Sequence, residues 1–442
     1  MKGEQINPFN ITKAVDFSDQ QISDYWVDIQ DDGGFAKLTK PLSAMPMLIL
    51  GGKGSGKTHL MRYLSYSLQK IRHPQSIIDG ILADRYLGIY MRCGGLNSGR
   101  FQDKGRSPEA WAGIFSYYMD IWLAQIVIGI VRDALRDSSE LQAGEAEACS
   151  RIWQLFEAQS EAQPETLEQL GKLLNNIQNG IDHQVNNCAI TGALDVIIRS
   201  TRGKLVFGIP RVVASCFPCL KECLFVFLID ELENLSEEQQ KYINTLIREK
   251  EPPCSFKVGA KLYGVKTYRT YSADEENKEG SEFETVWLDE WMRSSDRYEL
   301  FAKRLIAKRL HEYGYLSARM APIDTAAALL NDWFETYPAS KFAQAETKFI
   351  SEKYKDKERP YFESLLNHLK KAVANRTSPG ITSEDDITYA VNCLRCPQYP
   401  LLEKLNIFLL YRDWAARRNL KTAAVAIQGD CLLEAVRKVT LL

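Results

Sequence analysis

Gly51-Gly52-Lys53-Gly54-Ser55-Gly56-Lys57-Thr58 has the residue types and the spacing, G-x-x-x-x-G-K-[ST], that hold the phosphates of a nucleoside triphosphate. Glycines let successive backbone N–H groups curl around a phosphate, and a helix starting at the end of the loop adds its positive dipole end. Lys57 is then the cation for the β- and γ-phosphates, and the Thr58 hydroxyl is a ligand for Mg²⁺. His59 closes the set of expected nucleotide-binding residues. A second constellation lies far downstream, where the apolar run Leu224-Phe225-Val226-Phe227-Leu228-Ile229 ends in Asp230-Glu231. Asp230 suits the metal, directly or through water, and Glu231 suits a general base that polarises an attacking water. ATP and Mg²⁺ are the expected cofactors.

These residues need particular elements to hold them. Met47-Leu48-Ile49-Leu50 reads as a buried strand leading into the loop, and His59-Leu60-Met61-Arg62-Tyr63-Leu64 as the opening of a helix. The run before Asp230 reads as a central parallel strand covered on both faces, which puts its acidic end in the crevice where open α/β sheets bind ligands. Tyr86 to Met91 is a further strand, and alternation of strand and helix implies a parallel sheet. Between Thr58 and Asp230 lie 172 positions, more than a compact nucleotide-binding core needs, so a helical insertion is expected over about 107–215, entered at Ser107-Pro108-Glu109. Its stretch from Ser138 to Gln169 is acidic and reads as exposed. After the acidic strand end, Ser236 and Gln239 form a capping box for a helix reaching about Lys250. Phe256 to Gly264 reads as the next strand and Thr285 to Leu288 as another. Asp274 to Glu284, with six carboxylates against one lysine, reads as a solvated loop. The domains so expected are an approach segment over 1–45, a core over 46–295, a helical lid over 296–380 and a helical C-terminal segment over 381–442.

Composition narrows the class. A chain of 442 residues with 45% hydrophobic and 25% charged residues is ordinary for a soluble globular protein. The formal net charge of −2 argues against a strongly basic nucleic-acid-binding body. No apolar leader follows Met1, so a cytoplasmic location is expected. Trp111 to Val131 has the length of a bilayer span, but Asp120 at its centre is costly in lipid, and a helix buried inside a large protein is the expectation. Cys216-Phe-Pro-Cys219 and Cys393-Leu-Arg-Cys396 formally allow a zinc site, although buried reduced thiols fit their separation better.

The order of parts, phosphate loop, helix, strand, acidic-ended strand, helix, two strands and an all-helical tail, resembles an AAA+ P-loop ATPase of the origin-recognition, initiator-like branch. Asn7-Pro8-Phe9, the loop 51–58, Tyr90-Met91-Arg92-Cys93 and Leu228 to Leu235 carry the resemblance. It implies a parallel sheet sandwiched by helices, ATP hydrolysis, and assembly into a ring or filament. It also implies a polar sensor after the next strand, where Lys261 and Tyr263 stand, with Thr267 and Arg269 beyond. Arg269 is a candidate finger for a neighbouring subunit's nucleotide, and Arg304 or Arg309 a candidate second sensor. A winged-helix DNA reader is expected of initiators, yet the tail reads as plain helices, with only Arg412, Arg417 and Arg418 as a basic cluster. The leading expectation is an ATP-dependent oligomeric switch or motor controlling a protein effector, of the bacterial stand-alone type associated with antiviral defence. The alternative is a DNA-binding loader; a non-hydrolysing scaffold would have no use for Glu231.

Overall fold

A computed structural model describes residues 7–315 apart from 12, 30–33, 137, 158–161, 273–274 and 295–297, and then residues 330, 348–350, 352–354, 357–374, 383–396, 400–415 and 419–428. The chain forms two compact units, Met1–Leu330 and Asn331–Leu442.

The first unit is built on a five-stranded parallel sheet. Its strands are β1 (Met47–Gly51), β2 (Tyr86–Arg92), β3 (Leu224–Asp230), β4 (Cys254–Lys261) and β5 (Glu284–Trp287), in the spatial order β2-β3-β4-β1-β5. Every residue of β1 is buried, as the continuous apolar run requires of a strand covered on both faces. Alternation sorts its side chains. Met47 and Ile49 pack with Met61 and Leu64 on one face, while Leu48 and Leu50 join the larger core on the other. Helix α1 (Asp19–Asp24) and helix α2 (Gly34–Thr39) precede β1. Between β1 and β2 run α3 (Lys57–Tyr63), α4 (Tyr66–Arg72) and α5 (Ile77–Asp84).

The long connection from β2 to β3 is helical, as its length suggests. It holds α6 (Pro108–Ala134), α7 (Ser139–Trp153), α8 (Leu167–Thr191) and α9 (Lys204–Cys216). Ser107 caps α6 with Pro108 in its first turn. This helix is long and apolar enough to cross a membrane, but most of it is buried against α8, α9 and β2. Its mid-helix carboxylate explains itself there. Asp120, fully buried, accepts hydrogen bonds from the Tyr242 hydroxyl and from Gly203 N–H at 2.7 Å, and burial raises its pKa to about 7. The stretch expected to be exposed, 138–169, instead buries Ala148, Cys149, Ile152, Trp153, Phe156 and Leu167, because α7 turns one apolar stripe toward α9.

Helix α10 (Glu237–Arg248) opens on the expected capping box between Ser236 and Gln239. Strand β4 ends at Lys261, short of Gly264, and the chain turns outward with Tyr263 almost fully exposed. The acidic stretch after it is not a free loop. Arg248, at the end of α10, pairs with Glu275 and Glu282, Asn277 is buried, and bridges join Arg269 to Glu276 and Glu279 to Phe283. After β5 come α11 (Leu288–Ser294) and α12 (Tyr298–Glu312).

The second unit, among the described residues, holds helices Pro360–Ala374, Glu384–Leu394, Pro400–Ala415 and Leu420–Gln428 around a core that includes Phe362, Leu365, Leu369, Ile387, Leu394, Leu410 and Leu420. Glu403, buried, is satisfied by Arg359, by the Tyr361 hydroxyl at 2.6 Å and by Cys396 N–H at 2.9 Å. Much of the expected lid region 296–380, together with Arg417 and Arg418, lies outside the described residues. Among the described residues the cysteines are free thiols, and no group of three or more His, Cys, Asp or Glu side chains is placed to hold a metal.

Candidate functional site

The phosphate loop connects the carboxyl end of β1 to α3. Gly56 stands at φ +90° immediately before the helix, a conformation costly for any residue with a Cβ, and this frees the turn to present backbone N–H groups outward. Lys57 folds back over its own loop. Its ammonium donates to the carbonyls of Gly51 (2.7 Å) and Gly52 (2.8 Å) and to Ser55 Oγ (3.2 Å). Burial lowers the Lys57 pKa, against the opposing pull of Glu233, Asp230 and Asp289. Lys53 is exposed at the tip of the loop.

Strand β4 separates β1 from β3, so the acidic strand end lies two strand spacings, about 10 Å, from the loop. The structure closes that gap with side chains. The Thr58 hydroxyl lies close enough to the buried Asp230 carboxylate to favour its charged form, and that carboxylate accepts from the Tyr90 hydroxyl at 3.1 Å and from Glu231 N–H at 2.9 Å. Burial raises the Asp230 pKa, and these three donors work against it. One carboxylate and one hydroxyl, both hard oxygen donors, suit Mg²⁺, which keeps several waters and completes its shell with substrate phosphates.

Glu231 adopts a left-handed backbone, φ +61° and ψ +45°, uncommon for a residue with a side chain. Its Oε2 receives Arg92 Nε at 2.9 Å and Asn234 Nδ2 at 3.0 Å. Arg92 reaches it because the parallel register sets Arg92 beside Asp230 at the end of the neighbouring edge strand.

The N-terminal segment lies across α3. Arg62 donates to the carbonyls of Ala14 (2.7 Å) and Phe17 (2.8 Å) and pairs with Asp19 at 2.5 Å. Trp26 stacks on Tyr63 with ring centroids 3.5 Å apart and lies parallel to His59 at 5.9 Å. Phe35 packs against Trp26, Trp291 and Phe301. His59 is neutral at physiological pH. Burial, then the nearby Arg309 and Arg62, hold its pKa down to about 4. The same segment grips α12. Arg309 sits over the rings of Phe9, Phe17 and Tyr25, and Lys308 donates to the Trp26 carbonyl at 2.6 Å.

The structure thus brings Gly51 to His59, Asp230 and Glu231 to one end of the sheet. Of the other candidates, Lys261 lies at the end of β4, half-exposed, ion-paired with Glu233 at 3.4 Å. Thr267 is buried, its carbonyl bonded by Asn244. Arg269 is exposed in the hairpin beyond β4, and Arg304 is half-buried on α12. Tyr90, Arg92, Glu233 and Asp289 belong to the site's geometry; the first three lie in segments that carry the family resemblance, but none of the four was expected as a catalytic or binding residue. Only the period-2 placement of Tyr90 and Arg92 on a strand pairing with β3 could have pointed to them.

Comparison with known families settles the ancestry. The ORC-CDC6-like family model matches residues 7–438, nearly the whole chain. The chain belongs to the ORC-CDC6-like family. No curated protein and no solved structure matches it. The parallel sheet flanked by helices, with the phosphate loop at the end of β1, is the AAA+-like P-loop fold expected of an ORC-CDC6-like protein. The family is one of AAA+ ATPases, for which ATP binding is implied and Mg²⁺ is typical.

Proposed function

We propose that this chain is an ATP-hydrolysing switch whose catalytic residues are Lys57, Asp230 and Glu231. The observation carrying the reading is the single cluster formed by Lys57, the Thr58 hydroxyl beside Asp230, and Glu231, all at the carboxyl end of one parallel sheet. The backbone N–H groups from Gly54 to His59 cradle the phosphates, and Lys57 exchanges its loop carbonyls for phosphate oxygens. Thr58 and Asp230 would hold Mg²⁺, which would supply charge neutralisation for the phosphoryl group. Glu231 takes the proton from the attacking water once Arg92 and Asn234 release its Oε2.

The finer part of the proposal is that ATP occupancy drives self-association and control of a partner effector; antiviral defence as its setting rests on the resemblance alone. The test is mass in solution of a Glu231→Gln protein with and without Mg²⁺-ATP, alongside nucleotide titration of Lys57→Ala. A discrete multimer on adding ATP supports the assembly reading. Unchanged ATP affinity in Lys57→Ala removes the phosphate-loop assignment.

A further inference from the structure

Three carboxylates act on Lys57: Glu233, Asp230 and Asp289. The first pairs with Lys261 and the second suits the metal. Asp289 has neither task, and among the described residues no Lys or Arg forms an ion pair with it. Its position is nonetheless built with care. Strand β5 pairs with β1 so that Trp287 lies beside Leu50, which delivers Asp289 to the start of the loop. Leu288 fixes the approach, buried with Ile29, Phe35 and Leu60. Asp289 Oδ2 then accepts from Gly52 N–H at 2.5 Å. A Cβ on Gly52 would stand 3.2 Å from that oxygen, and one on Gly51 3.5 Å, so the carboxylate covers the outer side of the first two loop residues. Lys57 grips the carbonyls of the same two residues, which places ammonium and carboxylate within about 10 Å.

Resting on the phosphate-binding reading of the loop, we propose that Asp289 is a positioning residue with two effects. Its hydrogen bond holds the loop in its cradle form. Its charge opposes the nucleotide's phosphates and keeps affinity low enough for ADP to leave. A unit charge at such a separation, screened as near a protein surface, changes affinity by about tenfold.

Asn at this position keeps an acceptor for Gly52 N–H and removes the charge, whereas Ala removes both. The experiment is calorimetric titration of the full chain and of Asp289→Asn and Asp289→Ala with Mg²⁺-ADP, at low and high salt, with ADP release followed by chase. Expected is about tenfold tighter ADP binding for Asp289→Asn and correspondingly slower release, with the gain shrinking in high salt. Equal or weaker binding by a folded Asp289→Asn overturns the proposal. Weaker binding only in Asp289→Ala also overturns it, by leaving Asp289 a loop anchor alone. If the unmodified chain binds no ADP, the phosphate-loop reading itself fails, a result distinct from either.

Discussion

Replacing Arg92 by Ala is expected to raise the basal rate of ATP hydrolysis. Glu231 can act as a base only when its carboxylate turns toward the attacking water, yet Arg92 and Asn234 hold its Oε2 against Gly94, where an added Cβ would fall 1.9 Å away, and so fix the orientation of the whole group. The side chains of Arg92 and Glu231 are 41% and 23% exposed, so solvent screens the pair and its worth is about 1 kcal/mol. That corresponds to about fivefold in the population of released Glu231. Steady-state phosphate release at saturating Mg²⁺-ATP should therefore rise some three- to tenfold in Arg92→Ala, with KM little changed. Arg92→Lys, which keeps the charge but lacks Nε, should fall between. The reasoning is refuted if Arg92→Ala loses kcat with KM unchanged, since Arg92 would then be aiding the transition state rather than restraining the base.

Gly88→Ala should destabilise the fold by at least about 2 kcal/mol, read from the urea midpoint, because its Cβ would lie 1.9 Å from the Leu64 carbonyl oxygen, a backbone atom that cannot swing aside. Trp26→Ala should weaken the hold of the N-terminal segment on α3 and speed proteolysis within residues 13–29; unchanged cleavage would mean the Arg62 contacts suffice. Two buried groups set opposed pH dependences over one window. The His59 pKa falls from 6.5 to about 4, so its contribution is full above pH 6.5 and lost as pH drops toward 4. The Asp120 pKa rises from 3.8 to about 7, so its contribution is full below pH 3.8 and lost as pH climbs toward 7. Each amounts to roughly 2–4 kcal/mol, so Asp120→Asn should unmask a stability that falls from pH 6.5 to 4 more steeply than in the unmodified chain; a parallel profile would contradict the assignment.

What could be read from the residues was local or periodic. The phosphate loop, the Ser236 capping box and the buried strands before Gly51 and Asp230 each announce themselves within a dozen positions, because glycine spacing, cap chemistry and apolar runs act over one turn or one strand. What was missed depends on partners brought together by the sheet. Gly52 and Asp289 are 237 positions apart and meet only because β5 pairs with β1 rather than with its chain neighbour β4. Arg92 reaches Glu231 by the register of an edge strand, and Arg248 ties down the acidic stretch from the far end of α10. The same logic accounts for the 1–45 segment, where Asn7-Pro8-Phe9 carries resemblance but no chemistry. Its aromatic residues bind α3 on one side and Arg309 of α12 on the other, so the chain preceding the loop joins the loop's helix to the helix after β5. A change at the phosphate loop therefore has two physical routes to α12, through Asp289 at the entry to α11 and through the stacked rings of Trp26, Tyr63 and His59. Breaking each separately, with Asp289→Ala and Trp26→Ala, and then together tests whether they act as one unit. Additive effects on nucleotide affinity would mean independent supports, and non-additive effects a shared element that both routes bias.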